Sequence, residues 1–159
     1  MLKILIVDDE ISAGNILKIL IKKYIPIETE IEYCDSAQKA LDILPEFQPS
    51  LIMLDIEMPV MNGFDFLSLA PHDTFDVIFT TAFDKYAIKA IRFSALDYLL
   101  KPIDVLDLKN AINSHIVKSR NFEQKSLVNN LLTNLKQPEQ KNFKLALSTS
   151  EGTFFFDPV

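Results

Sequence analysis

The stretch LIMLDIEMPVMNG, residues 51–63, decides how this chain is read. Its first four residues are apolar without interruption, which is the pattern of a strand covered on both faces. The first polar residue after such a run, Asp55, leaves at the strand's carboxyl end, so the sequence offers one carboxylate to solvent at the edge of a sheet. A Met-Pro pair and an Asn-Gly turn signal then lead the chain away. The segments on either side decide what else reaches that edge.

Residues 2–7 (LKILIV) read as a second buried strand, stopped by Asp8, Asp9 and Glu10. Over 12–24, Ile16, Leu17, Leu20 and Ile21 recur at helical spacing, with Lys18, Lys22 and Lys23 on the other faces. Pro26 ends that helix. In 27–34 the residues Ile27, Thr29, Ile31 and Tyr33 alternate with Glu28, Glu30 and Glu32, an edge strand whose charges discourage intermolecular pairing. Ser36 is placed to cap a helix running to about residue 47, with Ala37, Ala40, Leu41 and Leu44 on its inner face. Beyond the strand 51–54 come a short helix over 63–70, a strand over 76–80, a helix over 84–92 and a short strand within 95–100. A further helix begins at 103, apolar at Leu106, Leu108, Ala111, Ile112 and Ile116.

Five alternations of strand and helix predict an α/β fold, a five-stranded parallel sheet doubly wound by helices. The strand order 2-1-3-4-5 follows if the edge-like second strand lies outside the first. In such sheets ligands sit beyond the carboxyl ends of the strands. There the sequence places Asp8, Asp9, Asp55, Thr80, Thr81 and Lys101.

A chain of 159 residues is slightly long for this domain alone, so an appendage is expected. Residues 119–142 are polar with a helical apolar pattern at Phe122, Leu127, Leu131 and Leu135, which predicts a C-terminal helical extension and a hinge at 137–142. Residues 143–159 alternate around a Ser-Glu-Gly turn and predict a hairpin. The net charge of −6 leaves no general basic surface for nucleic acid. The single Cys34 sits in an alternating run and reads as a half-buried structural thiol. No apolar stretch reaches the 18 or so residues of a membrane span, and the N-terminal run turns acidic too soon for a signal peptide. A cytoplasmic protein with no membrane partner is expected.

Three carboxylates converging on one spot repel, and a pair about 4 Å apart costs roughly 4 kcal/mol at an effective dielectric of 20. A cation must bind between them. All-oxygen ligands at an exposed edge suit Mg²⁺ or Mn²⁺ better than Zn²⁺, because neither His72 nor His115 lies in the strand-end segments. The setting is that of phosphoryl transfer to a carboxylate. Lys101 is then a mobile point charge for Asp55 and for a phosphate oxygen, and Thr81 a hydroxyl donor. Singly, each residue has an ordinary reading as turn or cap chemistry. Jointly, on different strand ends of one sheet, they favour function.

ILIVDDE at 4–10, LIMLDIEMPVMNG at 51–63, IFTTAFD at 78–84 and DYLLKPI at 97–103 together resemble the receiver domain of two-component response regulators. The resemblance covers about residues 1–120 and implies the flavodoxin-like receiver fold. It implies that Asp55 is the phosphoacceptor, and that Asp9, Asp55 and the backbone carbonyl of Glu57 bind Mg²⁺, with Asp8 acting through water. It makes Thr81 the switch hydroxyl, since Ala82 matches the small residue that follows it. Tyr98 becomes the switch aromatic and Lys101 the phosphate-binding lysine. Glu57 and Phe83 stand where the family tunes water's access to the acyl phosphate, and a bulky Phe83 predicts slow self-dephosphorylation.

The implied partners are a sensor histidine kinase and a second copy, met through the fourth helix, fifth strand and fifth helix. There Lys85, Tyr86, Ile88, Lys89, Ile91 and Arg92 face Asp97, Asp104 and Asp107. The tail, a helical linker over 121–142 followed by FKLALSTSEGTFFFDPV, resembles regulators carrying a LytTR-type DNA-binding domain (LytR/AlgR-like), of which 143–159 would be a truncated start. DNA binding is expected only through the missing part of that domain. The chain is thus expected to control transcription and to be no enzyme beyond gaining and slowly losing one phosphoryl group. Two alternatives are a phosphorylation-independent interaction module of the same fold and a small Mg²⁺-dependent phosphatase.

Overall fold

A computed structural model describes residues 1–71, 73–135, 145–149 and 152–156, with side chains to residue 130 apart from residue 72. Strands β1 (Leu2–Val7), β2 (Thr29–Cys34), β3 (Leu51–Asp55), β4 (Asp76–Thr81) and β5 (Asp97–Leu100) form one parallel sheet in the order β2-β1-β3-β4-β5. The expected order is the observed one. All five β3 residues are buried, because helices cover both faces of the central strands.

Helices α1 (Ile11–Tyr24) and α5 (Val105–Leu135) contribute Leu17, Ile21, Leu108, Ala111 and Ile112 to one core, packed on Ile4, Ile6, Leu51, Met53 and Ile78. Helices α2 (Ala37–Phe47), α3 (Gly63–Leu69) and α4 (Ala87–Arg92) cover the other face. That second core is aromatic: Phe64 lies 5.0 Å from Phe79 and 5.1 Å from Phe93, measured between ring centroids. Ser36 caps α2 as expected, its Oγ accepting from the amide of Lys39.

Several expectations are corrected. Ile16, read as inner face of the first helix, is 58% exposed, and the buried stripe of α1 is Gly14, Leu17 and Ile21. Two apolar stripes coexist on that helix, and only the sheet beneath selects one. Leu106 likewise faces outward. The helix expected over 84–92 is a 3₁₀ turn at Asp84–Tyr86 followed by the single short helix α4, beyond which Ser94 takes a positive φ of 56°. Cys34 is buried, not half-buried, and burial pushes its thiol up to about 11, with Asp35 and Glu32 adding to the effect. It is an inert packing residue.

β3 and β4 each run one residue further than expected, to Asp55 and Thr81. Both residues therefore sit inside the sheet's ladder. Asp55 is only 6% exposed, so the carboxylate expected at the solvent edge is withdrawn from it.

The Asn-Gly signal is not a simple turn. The side chain of Asn62 accepts from the amides of Phe64 (2.9 Å) and Asp65 (3.0 Å) and so starts α3. A Cβ at Gly63 would lie 2.5 Å from the carbonyl oxygen of Asp55, so only glycine lets the chain return onto the strand end it has just left. Within the loop, Val60 holds φ 70°, a strained value for a β-branched residue.

The chain divides into two compact units, Met1–Lys118 and Ser119–Val159. In the second unit, β6 (Leu145–Thr149) pairs antiparallel with β7 (Gly152–Phe156), the predicted hairpin. The helical extension is the uninterrupted continuation of α5 to Leu135. The hinge expected at 137–142 lies outside the described residues. Among the described residues no helix is long and apolar enough to cross a membrane.

Candidate functional site

Register explains how the site is assembled. Val7 pairs with Leu54, Asp55 with Thr80, and Thr81 with Leu100, so the residues that follow or end these strands arrive together at one sheet edge. Carboxylate oxygens of Asp8, Asp9 and Asp55 all lie within 4.8 Å of one another. Asp8 is 2% exposed and Asp9 is exposed at the rim. The Nζ of Lys101 donates to Asp8 Oδ2 at 2.7 Å and to Asp55 Oδ2 at 3.2 Å. A backbone bond holds Lys101 beside β4, its amide donating to the Thr81 carbonyl at 2.7 Å; the Lys101-Pro102 peptide is cis.

The Lys101 ammonium pairs with two of the three carboxylates, and burial dominates the titration of Asp55. Burial pushes the Asp55 carboxyl from 3.8 up to about 6; Lys101 opposes this and Asp8 adds to it. Desolvation pulls Lys101 down, but its hydrogen bond to Asp8 and the charges of Asp55 and Asp8 outweigh that and leave it above its ordinary value. The donor set is entirely oxygen, which fits a hard divalent cation such as Mg²⁺ or Mn²⁺. Of the two histidines, His115 is buried at the opposite end of β4, its Nδ1 2.7 Å from Asp76 Oδ2, and His72 lies outside the described residues.

A cavity of about 460 Å³ opens over these groups, lined by Asp9, Glu10, Asp55, Glu57, Thr81, Ala82, Phe83 and Lys101. Thr81 lines it; Thr80, equally buried, belongs to the strand interior. Thr81 Oγ1 accepts from the Phe83 amide at 3.3 Å. Tyr98 packs 6.5 Å from Phe79 between centroids and its hydroxyl donates to the Phe83 carbonyl, so the residue expected as switch aromatic is joined to the loop that follows Thr81. A larger cavity of about 730 Å³ is lined, among the described residues, by Leu41, Leu44, Pro45, Gln48, Pro49, Leu69, Pro71 and Thr74, none of them titratable.

Two contacts at the mouth were not legible in the sequence. Tyr86 donates its hydroxyl to Glu57 Oε1 at 2.6 Å, and Lys85 lies 3.6 Å from the same oxygen. Lys85 also sits 4.8 Å from the ring centroids of both Phe83 and Tyr86. These partners are 28 and 29 residues from Glu57, and no local spacing announces them. Ile88 and Ile91 are 73% and 75% exposed, and Asp104 is exposed too, its side chain accepting from the amides of Leu106 and Asp107 at the start of α5.

A family model described as the response regulator receiver domain matches residues 4–113. The chain belongs to the response regulator receiver family. Receivers of this kind are two-component signalling modules and not enzymes in the usual sense. The chain is 40% identical over 113 residues to the transcriptional regulatory protein BtsR of Shigella flexneri, covering 70% of this chain and 47% of that protein. It is 32% identical over 160 residues to the sensory transduction protein LytT of Bacillus subtilis, covering 99% of this chain and 62% of that one. It thus spans about half to three fifths of these relatives' length. Among solved structures, the receiver domain of a LuxO repressor protein from Vibrio parahaemolyticus superposes with a TM-score of 0.68 at 27% identity, over 77% of this chain and 95% of that one. The response regulatory domain of mrkE from Klebsiella pneumoniae does so at 0.66 and 27%, over 76% and 99%.

Proposed function

We propose that this receiver takes a phosphoryl group from the phosphohistidine of a sensor histidine kinase onto Asp55 and uses it to switch a transcriptional output. The observation that carries the reading is the clustering of Asp8, Asp9 and Asp55, two of them paired with Lys101, beside a cavity that Asp9, Asp55 and Lys101 line. An Asp55 carboxylate oxygen attacks phosphorus, the P–N bond of the donor breaks, and the imidazole leaves. Asp9, Asp55 and the Glu57 carbonyl would hold a divalent ion, with Asp8 acting through water, and the ion would supply charge neutralisation for the transfer. Lys101 exchanges its contact with Asp55 for one with a phosphoryl oxygen. Thr81 donates its hydroxyl to another, which draws the 81–83 segment toward Asp55 and alters what Tyr98 can bond.

The output surface in this reading is α4, β5 and α5, where Ile88, Ile91 and Leu106 are exposed, and a second copy is its occupant. The alignment with LytT along nearly the whole chain supports a LytTR-type regulator, with residues 143–159 the start of its DNA-binding domain. Function in the cytoplasm follows from the two-component assignment.

The test is incubation with acetyl phosphate and Mg²⁺, read by intact mass. A single phosphoryl addition, absent from Asp55→Asn and in EDTA, is expected. No adduct on the wild type would sink the reading and favour a phosphorylation-independent binding module, whereas steady hydrolysis of a phosphate ester would favour a phosphatase. Phe83 lines the cavity and its bulk shields the acyl phosphate from water. Phe83→Ala and Phe83→Glu are expected to shorten the phosphate's lifetime several-fold, measured by decay of the phosphorylated mass, and unchanged decay in both would count against the shielding role.

A further inference from the structure

Tyr33 lies on the edge strand β2, where its alternation reads as nothing more than the inner side of that strand. Its ring packs against the core shared by α1 and α5. Its phenolic oxygen is 2.6 Å from the backbone carbonyl oxygen of Asp8 and donates to it. That carbonyl belongs to the peptide joining Asp8 to Asp9, the two carboxylates that β1 delivers to the acidic site. The Asp8 amide donates to the Cys34 carbonyl at 3.1 Å, so both backbone groups of Asp8 are tied to β2. The Asp8 side chain is fixed as well, by the Glu10 amide at 2.9 Å and by Lys101 at 2.7 Å.

Gly14 makes this reach possible. A Cβ there would stand 2.3 Å from Tyr33 Cε2 and 2.7 Å from Cδ2, closer than real atoms approach. The glycine is the fourth residue of α1, where it weakens the helix by up to about 1 kcal/mol relative to alanine. The space it leaves is filled by the tyrosine ring.

We propose that Tyr33 is a positioning residue of the acidic site: its hydroxyl fixes the Asp8–Asp9 peptide and so presets both carboxylates for a divalent cation, with Gly14 supplying the room for its ring. The inference rests on the functional reading above. A phenol is suited to this task because it remains a donor far above neutral pH and places no second charge beside three carboxylates. Groups that orient metal ligands from behind change metal affinity by about 10–100-fold when removed. A bond to the backbone of a ligand pair belongs at the lower end of that range.

The experiment is a Mn²⁺ and Mg²⁺ titration of the full chain by calorimetry, alongside the Mg²⁺ dependence of labelling by acetyl phosphate. Tyr33→Phe keeps the ring on Gly14 and removes only the hydroxyl. It is expected to weaken both metals about tenfold and to move half-maximal labelling to correspondingly higher Mg²⁺, with the rate at saturating Mg²⁺ within about twofold of wild type. Gly14→Ala, which displaces the ring, is expected to weaken the metals to a similar extent. The double variant is expected to bind no more than about twofold more weakly than either single one, because both remove the same contact.

A purely structural role would lower the urea midpoint of Tyr33→Phe while leaving both metal affinities unchanged, and that result overturns the inference. Multiplicative losses in the double variant would overturn the coupling to Gly14. A wild-type chain that neither binds Mn²⁺ nor is labelled would overturn the functional reading, and this inference with it. Wild-type binding and labelling with an unaffected Tyr33→Phe would overturn the inference alone.

Discussion

Strand β4 carries a charged cluster at each end, and the two clusters differ in balance. At its amino end, Asp76 meets His115 at 2.7 Å and Lys118, so one carboxylate has two nitrogen partners. Past its carboxyl end, Asp8, Asp9 and Asp55 cluster together, and Lys101 pairs with Asp8 and Asp55. The first cluster is complete and ties α5 to the sheet. The second is short of positive charge, and burial makes the deficit costly. A cluster that is satisfied by its own chain serves the fold, while one with more carboxylates than cations is the one to which the proposed function brings a cation and a phosphoryl group.

The sharpest way to break this comparison is to remove one carboxylate from each end. Asp55→Asn is expected to abolish labelling by acetyl phosphate entirely, whereas Asp76→Ala should leave it within about twofold of wild type at a temperature where the variant is folded. A comparable loss in both variants would mean that the amino-end cluster takes part in the chemistry.

Stability should respond in the opposite sense. Asp76→Ala strips a buried histidine of its partner and is expected to cost about 1–3 kcal/mol by urea denaturation. Lys118 adds little to that figure because it is largely exposed.

Asp55→Asn should stabilise the metal-free protein. The Asp55 carboxyl is raised in the fold from 3.8 to about 6, so its contribution to stability is present below about pH 4 and is lost as pH rises through about 6. Asn carries no charge to desolvate. In EDTA the variant is expected to exceed wild type by on the order of 2 kcal/mol at pH 8, and the advantage should fade as the pH is lowered toward 4. A pH-independent difference would show that lost contacts, and not ionisation, set its stability.

Legibility followed the same division. The apolar runs 2–7 and 51–54 revealed central strands because burial on both faces leaves no room for polar residues, and the position of each strand end then located Asp8, Asp9, Asp55, Thr81 and Lys101. The second strand showed itself as an edge through Glu28, Glu30 and Glu32. By contrast, Ile16 and Leu17 are equally apolar neighbours on α1, and nothing local says which one faces the core. Glu57 with Tyr86, and Tyr33 with Asp8, are pairs set 29 and 25 residues apart, made by loops and strands folding onto one another.

By itself the sequence determined the order of strands and helices, the sheet they form and the edge at which five chemistry-bearing side chains meet, because periodicity and strand ends are local properties of the chain. Tertiary structure alone decided that Asp55 is buried and raised in pKa, that Asp76 is neutralised by α5, and that a tyrosine on the edge strand reaches the Asp8 carbonyl through space left by Gly14. Desolvation and contact depend on what the rest of the chain brings alongside, and that is a property of packing.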